Sequence, residues 1–389
     1  MGRKLFSKSR YAVILILVGL IALIEARRPF PSFRLATFIL AFLALAGMAS
    51  LLRGKLRDGL VVLASLAFGL SIIEATASIL ETKTLPVVTI GESVPQPIVG
   101  WGPEHAGRFH AEKTDPKSGV PIYRVDYTID SNLLRETHSV ETGPTIVFFG
   151  DSFTFGEGLS DADTLPQLFA DLLGRKQRVL NLGFSGYGPQ QFLAELQTGH
   201  FDSVIGAQPR LFIFMTKADH AERTACKFWV LWGPRYALEN GHVALKGPCY
   251  EGVSLRMREW LENMASYRLF IEPYLQKATH EDVELYVRVL LAAVSLAKEK
   301  YGVATLIPYL PGDPYLKGTG FSDDEIVQRL RDGGAVVVDV SLAKEEAGGA
   351  IISIPGDRHP TPLANRLRAA MLKDYIENYM LGILVAGAH

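Results

Sequence analysis

A serine, a histidine and two aspartates stand where their chemistries can combine. Ser152 lies in Gly150-Asp151-Ser152-Phe153-Thr154-Phe155-Gly156-Glu157-Gly158, directly after the apolar run TIVFFG. Far downstream, Asp357-Arg358-His359-Pro360 precedes a helical-looking stretch. A serine hydroxyl becomes a nucleophile when a base takes its proton and an acid orients that base. Asp357 and His359 are two apart, so on extended backbone their side chains lie on one side. The carboxylate would hold one imidazole nitrogen while the other faces Ser152. Between these stretches, Asn181-Leu182-Gly183-Phe184-Ser185-Gly186-Tyr187-Gly188 supplies glycines whose N–H groups can approach a substrate oxygen. With the Ser152 amide at a helix start, Gly186 and Gly188 would form an oxyanion hole. Each stretch also has a plain reading. Asp-Ser before a helix is a good N-cap, Asp-x-His-Pro a cap and turn, and the glycine stretch a tight turn.

Position decides between the two. From Thr145 onward, short apolar runs (TIVFFG, RVLNLG, RLFIFMT, VATLIPYL, AVVVDV) alternate with helical stretches, the longest being HEDVELYVRVLLAAVSLAKEKY. Continuous Val/Ile/Leu-rich runs indicate strands covered on both faces, and alternation with helices indicates a parallel sheet in a three-layer α/β domain. Chemistry in such sheets gathers at the carboxyl ends of the strands. The stretches around Ser152 and Gly186 follow the first and second runs, and Asp357 and His359 follow the last. The third run ends in Lys217-Ala218-Asp219-His220-Ala221-Glu222-Arg223, which adds Asp219 and His220 to the candidates beside Asp151. The remaining histidines, His105, His110, His138, His200, His242 and His280, fall outside these ends and read as surface or structural residues. Thr154 stands where a Gly-x-Ser-x-Gly elbow would need its last glycine, so that motif is excluded.

Ahead of this domain come three apolar segments, Tyr11 to Ala26, Leu35 to Leu52 and Leu60 to Leu80. A membrane span needs about 17–25 apolar residues, so residues 1–81 read as an anchor of about three transmembrane helices. Ile24-Glu25-Ala26 is a poor small-x-small cleavage site, which disfavours a cleaved leader. Lys and Arg in the N-terminal tail and the second loop outnumber those in the first loop, which favours the N-terminus inside. The chain beyond residue 81 then lies outside the cytoplasm, in the periplasm of an inner-membrane protein. Glu74 within the third segment reads as lying near its outer end or facing another helix. Residues 82–143 read as a linker with a strand lead-in, YRVDYTID, and residues 144–380 as the α/β domain. A hairpin insertion near 224–252, with its turn at Asn240-Gly241, is bracketed by Cys226 and Cys249, and the two cysteines are expected to pair. With 40 basic and 41 acidic residues the chain has a net charge of -1, and no basic patch suggests nucleic acid as a partner. No metal-ligand spacing occurs, and neither a metal nor another cofactor is expected.

GDSFTFGEGL, VLNLGFSGYGPQQ and GDRHPTPLANRLRAAML resemble, in order and separation, the blocks of SGNH (GDSL-type) hydrolases. The resemblance spans roughly residues 123 to 378. It implies a flavodoxin-like three-layer α/β/α sandwich, here preceded by transmembrane helices. It also implies Ser152 as nucleophile, His359 as general base, Asp357 as its partner, and oxyanion N–H groups from Ser152 and Gly186. The family's third block usually carries Gly-x-Asn-Asp, whose Asn is a further oxyanion donor. Here MTKADHAER stands instead, with Asp219 or His220 in that place. Losing one such donor costs about 10²–10³ in rate. The last block is Asp-x-His rather than the commoner Asp-x-x-His. The expected activity is a membrane-anchored serine esterase acting on an acyl ester of a glycan or lipid. The alternatives are O-acyl transfer to a cell-surface polysaccharide, a catalytically weak glycan-binding member, and a metal-dependent phosphoesterase built from Asp151, Asp219, His220, Asp357 and His359.

Overall fold

A computed structural model describes residues 2–28, 33–89, 93–227, 231–380 and 384. Residues 90–92 of the expected linker and 228–230 of the expected insertion lie outside the described residues. The chain forms two compact units, one of Met1–Leu85 with Val253–Leu275, the other of Pro86–Gly252 with Gln276–His389.

The larger unit is built on a parallel sheet. Its strands are β1 (Thr145–Gly150), β2 (Arg178–Gly183), β3 (Pro209–Phe214), β4 (Thr216–Lys217), β5 (Ala304–Leu310) and β6 (Val336–Asp339). The order is β2-β1-β3-β5-β6, with the short β4 continuing beside β5, and every pairing is parallel. This is the flavodoxin-like doubly wound order, with its switch point between β1 and β3. The apolar runs are continuous because alternate residues serve two cores. Val147, Phe149, Phe212 and Phe214 pack with helices Pro189–Thr198 and His280–Tyr301. Ile146, Phe148, Leu211 and Ile213 pack with helices Leu165–Leu172 and Pro362–Tyr379. The result is a three-layer α/β/α sandwich.

Residues 82–143 do more than link. They form an antiparallel sheet of Val87–Thr89, Gly107–Thr114 and Pro121–Ile129, and a separate hairpin of Ser93–Gln96 with Gly100–Pro103. From Pro86 on, this stretch belongs to the larger unit. It is held there by contacts that have no local signature. Trp101 Nε1 donates to the Ser185 carbonyl at 2.8 Å, and the Tyr187 hydroxyl donates back to the Trp101 carbonyl. The insertion hairpin pairs Pro234–Glu239 with His242–Pro248, and both turn residues, Asn240 and Gly241, have positive φ. Cys226 and Cys249 are joined beneath it.

In the smaller unit, α1 (Gly2–Arg27), α2 (Phe33–Ala49) and α3 (Lys55–Thr82) pack in chain order. Among the described residues, α3 is the helix long and apolar enough to cross a membrane, and α2 is a shorter apolar helix. Ala64, Ala67, Ser71, Glu74 and Ala77 form the buried face of α3, and its alanines and serine let helix backbones approach closely. Glu74, 2 % exposed, faces another helix, but not one of the three. Its carboxylate accepts hydrogen bonds from the backbone N–H groups of Ala265 and Ser266 at 2.8 and 3.0 Å, and from the Ser266 hydroxyl. The Val253–Leu275 segment, which directly follows the expected insertion, thus packs with α1–α3.

The Cys226–Cys249 disulfide closes a loop of sequence separation 23. In the chain-entropy account such a loop is worth about 3 kcal/mol. The Cys226→Ser/Cys249→Ser double variant is therefore expected to unfold at lower urea than the wild type by that free energy, measured on the full chain in detergent.

Candidate active site

Ser152 sits at the switch point because β1 ends in a turn that few residues can make. Gly150 has φ +152°, and a Cβ there would collide with the side chain of Thr154. Gly183, at the end of β2, would bring a Cβ within 2.5 Å of the Phe155 backbone nitrogen. The two glycines let the short helix Ser152–Phe155 nest between β1 and β2. Asn181 braces it, donating from Nδ2 to the Thr154 carbonyl at 3.0 Å. Asp151 is the N-cap, with its Oδ1 accepting from the Phe153 N–H at 2.9 Å.

Ser152 is 6 % exposed, and its Oγ lies 2.8 Å from His359 Nε2. His359 Nδ1 is hydrogen-bonded to Asp357 Oδ1, which also accepts from the His359 backbone N–H at 3.1 Å. The arrangement is Asp–His–Ser, but its backbone is not the extended one expected from the spacing. Arg358, between the two residues, has φ +82°, and the Asp357 N–H donates to the Ile354 carbonyl at 2.9 Å. A tight turn, pinned by the Ser353–Pro360 bridge, brings the carboxylate onto the ring.

Two further charged groups meet this pair, and neither was legible in the sequence. Lys113 Nζ lies 3.2 Å from Asp357 Oδ2, reaching in from strand Gly107–Thr114. Glu157 Oε2 lies 3.8 Å from His359 Nε2 and accepts from the Ser185 hydroxyl at 2.7 Å. Burial works to raise the pKa of Asp357. The hydrogen bond and charge of His359, with Lys113, outweigh it and hold the carboxyl below its usual range.

The oxyanion candidates divide. Ser152 is the first residue of its helix and Gly186 lies in a turn with φ +85°. Among the described residues, neither N–H donates to a backbone acceptor. The Gly188 N–H, by contrast, donates to Gln191 Oε1 at 2.9 Å as part of the cap of the next helix, so its expected approach to a substrate oxygen does not occur.

The stretch from the end of β4, Lys217 to Arg223, forms a buried ionic cluster with Asp151. His220 is fully buried. Its Nδ1 is 3.0 Å from Thr216 Oγ1 and its Nε2 is 3.1 Å from Asp151 Oδ2, so both ring nitrogens are engaged away from any oxyanion. Arg223 Nη1 donates to Asp151 Oδ2 at 3.0 Å and to the Tyr187 carbonyl at 2.8 Å. Lys217 Nζ lies 3.1 Å from Asp219 Oδ2, 3.7 Å from Asp151 Oδ2, and 4.3 Å from the centre of the Phe153 ring. Asp219 is therefore offset by Lys217 and, at 3.6 Å, by Arg223, rather than opposing a developing negative charge alone. Burial would raise the pKa of Asp151, but Lys217, His220 and Arg223 together hold it well below the carboxylate range. Burial lowers that of His220, with the Asp151 hydrogen bond pulling the other way. Among the described residues no group of His, Cys, Asp and Glu could hold a metal ion.

No protein-family model and no curated protein matches the sequence. Solved structures with a similar arrangement include a lipolytic G-D-S-L family member from Veillonella parvula, at 15 % identity and TM-score 0.36, covering 61 % of this chain and 100 % of that one. A catalytic mutant of an acetylxylan esterase from Geobacillus stearothermophilus matches at 15 % identity and TM-score 0.35, over 61 % of this chain and 96 % of that one. A carbohydrate acetylesterase family member from Sinorhizobium meliloti matches at 13 % identity and TM-score 0.34, over 60 % of this chain and 98 % of that one.

Removing the Asp151 carboxylate would take from the buried Arg223 its 3.0 Å acceptor and leave Asp219 to offset Arg223 and Lys217 together. Asp151→Ala is expected to destabilise the protein by about 3–5 kcal/mol in denaturant unfolding. Because the folded-state pKa of Asp151 is depressed, its contribution is fully present above the unfolded value, about 3.9. It is lost as pH falls below that value towards the folded pKa. The stability gap between wild type and Asp151→Asn should therefore be constant above pH ~5 and shrink steadily below pH ~4.

Proposed function

We propose that this protein is a membrane-anchored serine ester hydrolase of the SGNH type whose α/β domain acts outside the cytoplasm. The observation that carries the reading is the 2.8 Å contact of Ser152 Oγ with His359 Nε2, with Asp357 on the other ring nitrogen. The Ser152 oxygen attacks the ester carbonyl carbon as His359 Nε2 takes the hydroxyl proton. The carbonyl oxygen becomes an oxyanion facing the N–H groups of Ser152 and Gly186. Collapse of the tetrahedral intermediate breaks the ester C–O bond, and the alcohol leaves with the proton from His359. A water then attacks the acyl-enzyme, giving its proton to His359, and the acid departs as Ser152 recovers its hydrogen. Asp357, backed by Lys113, holds the imidazole in the tautomer that keeps Nε2 free to accept.

The reading for the substrate is an acyl ester on a glycan or lipid of the cell envelope. It is supported by the anchor: three packed helices, with Arg3, Lys4, Lys8 and Arg10 at the start of α1 and Arg53, Lys55 and Arg57 at the start of α3, favour a domain facing outward. An acyl-enzyme of this kind can also pass its acyl group to a sugar hydroxyl instead of water.

The full chain in detergent should be labelled by a fluorophosphonate probe, and Ser152→Ala should abolish labelling. Asp357→Asn is expected to lower turnover of p-nitrophenyl acetate by about 10⁴. A folded wild type that resists labelling would leave a glycan-binding role as the better account. Acceptor-dependent loss of free acid on adding an oligosaccharide would assign transfer rather than hydrolysis.

A further inference from the structure

The Val253–Leu275 segment has its polarity arranged the wrong way round for a surface in water. It consists of three short helices, Gly252–Glu262, Ala265–Phe270 and Glu272–Leu275. On the first, Val253, Met257 and Trp260 follow an i, i+4, i+7 spacing and so share one face. They are 76, 60 and 42 % exposed. Phe270, Ile271 and Leu275, at the other end, are also exposed. Apart from the exposed Arg256, the charged side chains pair with one another and with α1–α3. Arg258 bridges Glu262 and Glu272 at 2.7 and 2.8 Å. Arg268 takes both oxygens of Glu81, from Nε at 2.7 Å and from Nη2.

The partners on α1–α3 all lie at one end of the helices. Arg28 follows α1, and its guanidinium is 4.0 Å from Glu259. Arg34 and Phe38 open α2, with Arg34 set 5.2 Å from the Trp260 ring centre and Phe38 packed with Met264 and Tyr267. Glu74 and Glu81 close α3. This is the end opposite Lys55 and Arg57, which open α3. The α3 residues beside the contact points, Ile72, Ile73, Ile79 and Leu80, are themselves exposed and apolar. The bare face of the segment therefore adjoins the bare face of a helix read as a span.

We propose that Val253–Leu275 is an interfacial membrane element. It lies in the lipid headgroup–acyl boundary at the outer end of the three-helix anchor, with Val253, Met257, Trp260, Phe270, Ile271 and Leu275 immersed in lipid. The proposal rests on the membrane reading given above. Its partner is the bilayer surface. Arg258 and Arg268 are committed to carboxylates within the unit, and the exposed Arg256 has a side chain long enough to extend its guanidinium to lipid headgroups while its stem stays with the apolar face. Interfacial helices carry this signature of apolar side chains with a Trp at the boundary. The chain beyond α3 leaves this unit at Leu85, re-enters it at Val253 and leaves again at Leu275, so the larger unit is tethered to the membrane at three points in its sequence.

The test uses the full chain in nanodiscs of phosphatidylethanolamine and phosphatidylglycerol. The native cysteines form a disulfide, so single cysteines can carry a nitroxide label. Labels are placed at Met257 and Ile271, at Leu66 in mid-α3, and at Leu172, an exposed apolar residue of the larger unit. Accessibility is read with oxygen, which enters lipid, and with a water-soluble nickel chelate. The expected result is oxygen favoured several-fold over the chelate at 66, 257 and 271, and the reverse at 172. If 257 and 271 behave like 172 while 66 still reads lipid, the proposal is overturned and the anchor stands. If they are shielded from both reagents, a polypeptide covers the face and the lipid assignment is overturned. If 66 itself behaves like 172, the membrane reading fails and the proposal falls with it.

Discussion

The larger unit turns on one buried carboxylate. Asp151 sits where β1 stops, 1 % exposed, and divides its two oxygens between separate tasks. Oδ1 caps the short helix that begins at Ser152, which fixes where the serine hydroxyl emerges. Oδ2 takes the His220 ring and the Arg223 guanidinium, with Lys217 nearby. Arg223 in turn holds the Tyr187 carbonyl in the glycine-rich turn after β2. The ends of three neighbouring strands are thereby fixed to one another through a single side chain. A carboxylate this deep is tolerable only because cations and backbone donors fill its lone pairs.

The same economy governs the stretch after β4, where an expected Asn is absent. Where a third oxyanion donor would be expected, His220 is turned inward onto Thr216 and Asp151, and burial lowers its pKa. Lys217, Asp219, His220 and Arg223 instead form a buried cluster around Asp151. Positive charge nevertheless remains at the mouth of the site in Lys217, which is partly exposed and lies over Phe153, the ring 5.5 Å from that of His359. On the other side, Lys113 and the Trp101–Ser185 bond come from the stretch that precedes the parallel sheet. The site is therefore completed by an antiparallel layer outside the flavodoxin-like core.

In the smaller unit the governing constraint is the carboxylates carried by an apolar helix, Glu74 buried and Glu81 partly so. Glu74 and Glu81 would be costly on a lipid-facing helix. They are matched by backbone N–H groups and by Arg268 from a segment nearly two hundred residues away in sequence. That match explains why Val253–Leu275 groups with the apolar helices although the stretches on either side of it belong to the α/β sandwich.

Much of the sandwich was legible in the chain itself. Uninterrupted apolar runs must be covered on both faces, so β1, β2, β3, β5 and β6 and their parallel pairing follow from composition and alternation. Asn240-Gly241 announced its hairpin because both residues accept positive φ. Ser152, Gly186, Asp357 and His359 could be named because they stand at strand ends, where backbone donors and side chains converge. Spacing alone misled at Asp357 and His359, where a left-handed Arg358 replaces extended backbone, and at Gly188, whose amide serves a helix cap. Only the tertiary structure could bring Lys113 to Asp357, Glu157 to His359, Trp101 to Ser185 and Ser266 to Glu74. Each of those pairs joins residues far apart in the chain or across a turn, and no periodicity records such a meeting. Periodicity reports which face is buried; which charge finds which partner is decided by packing.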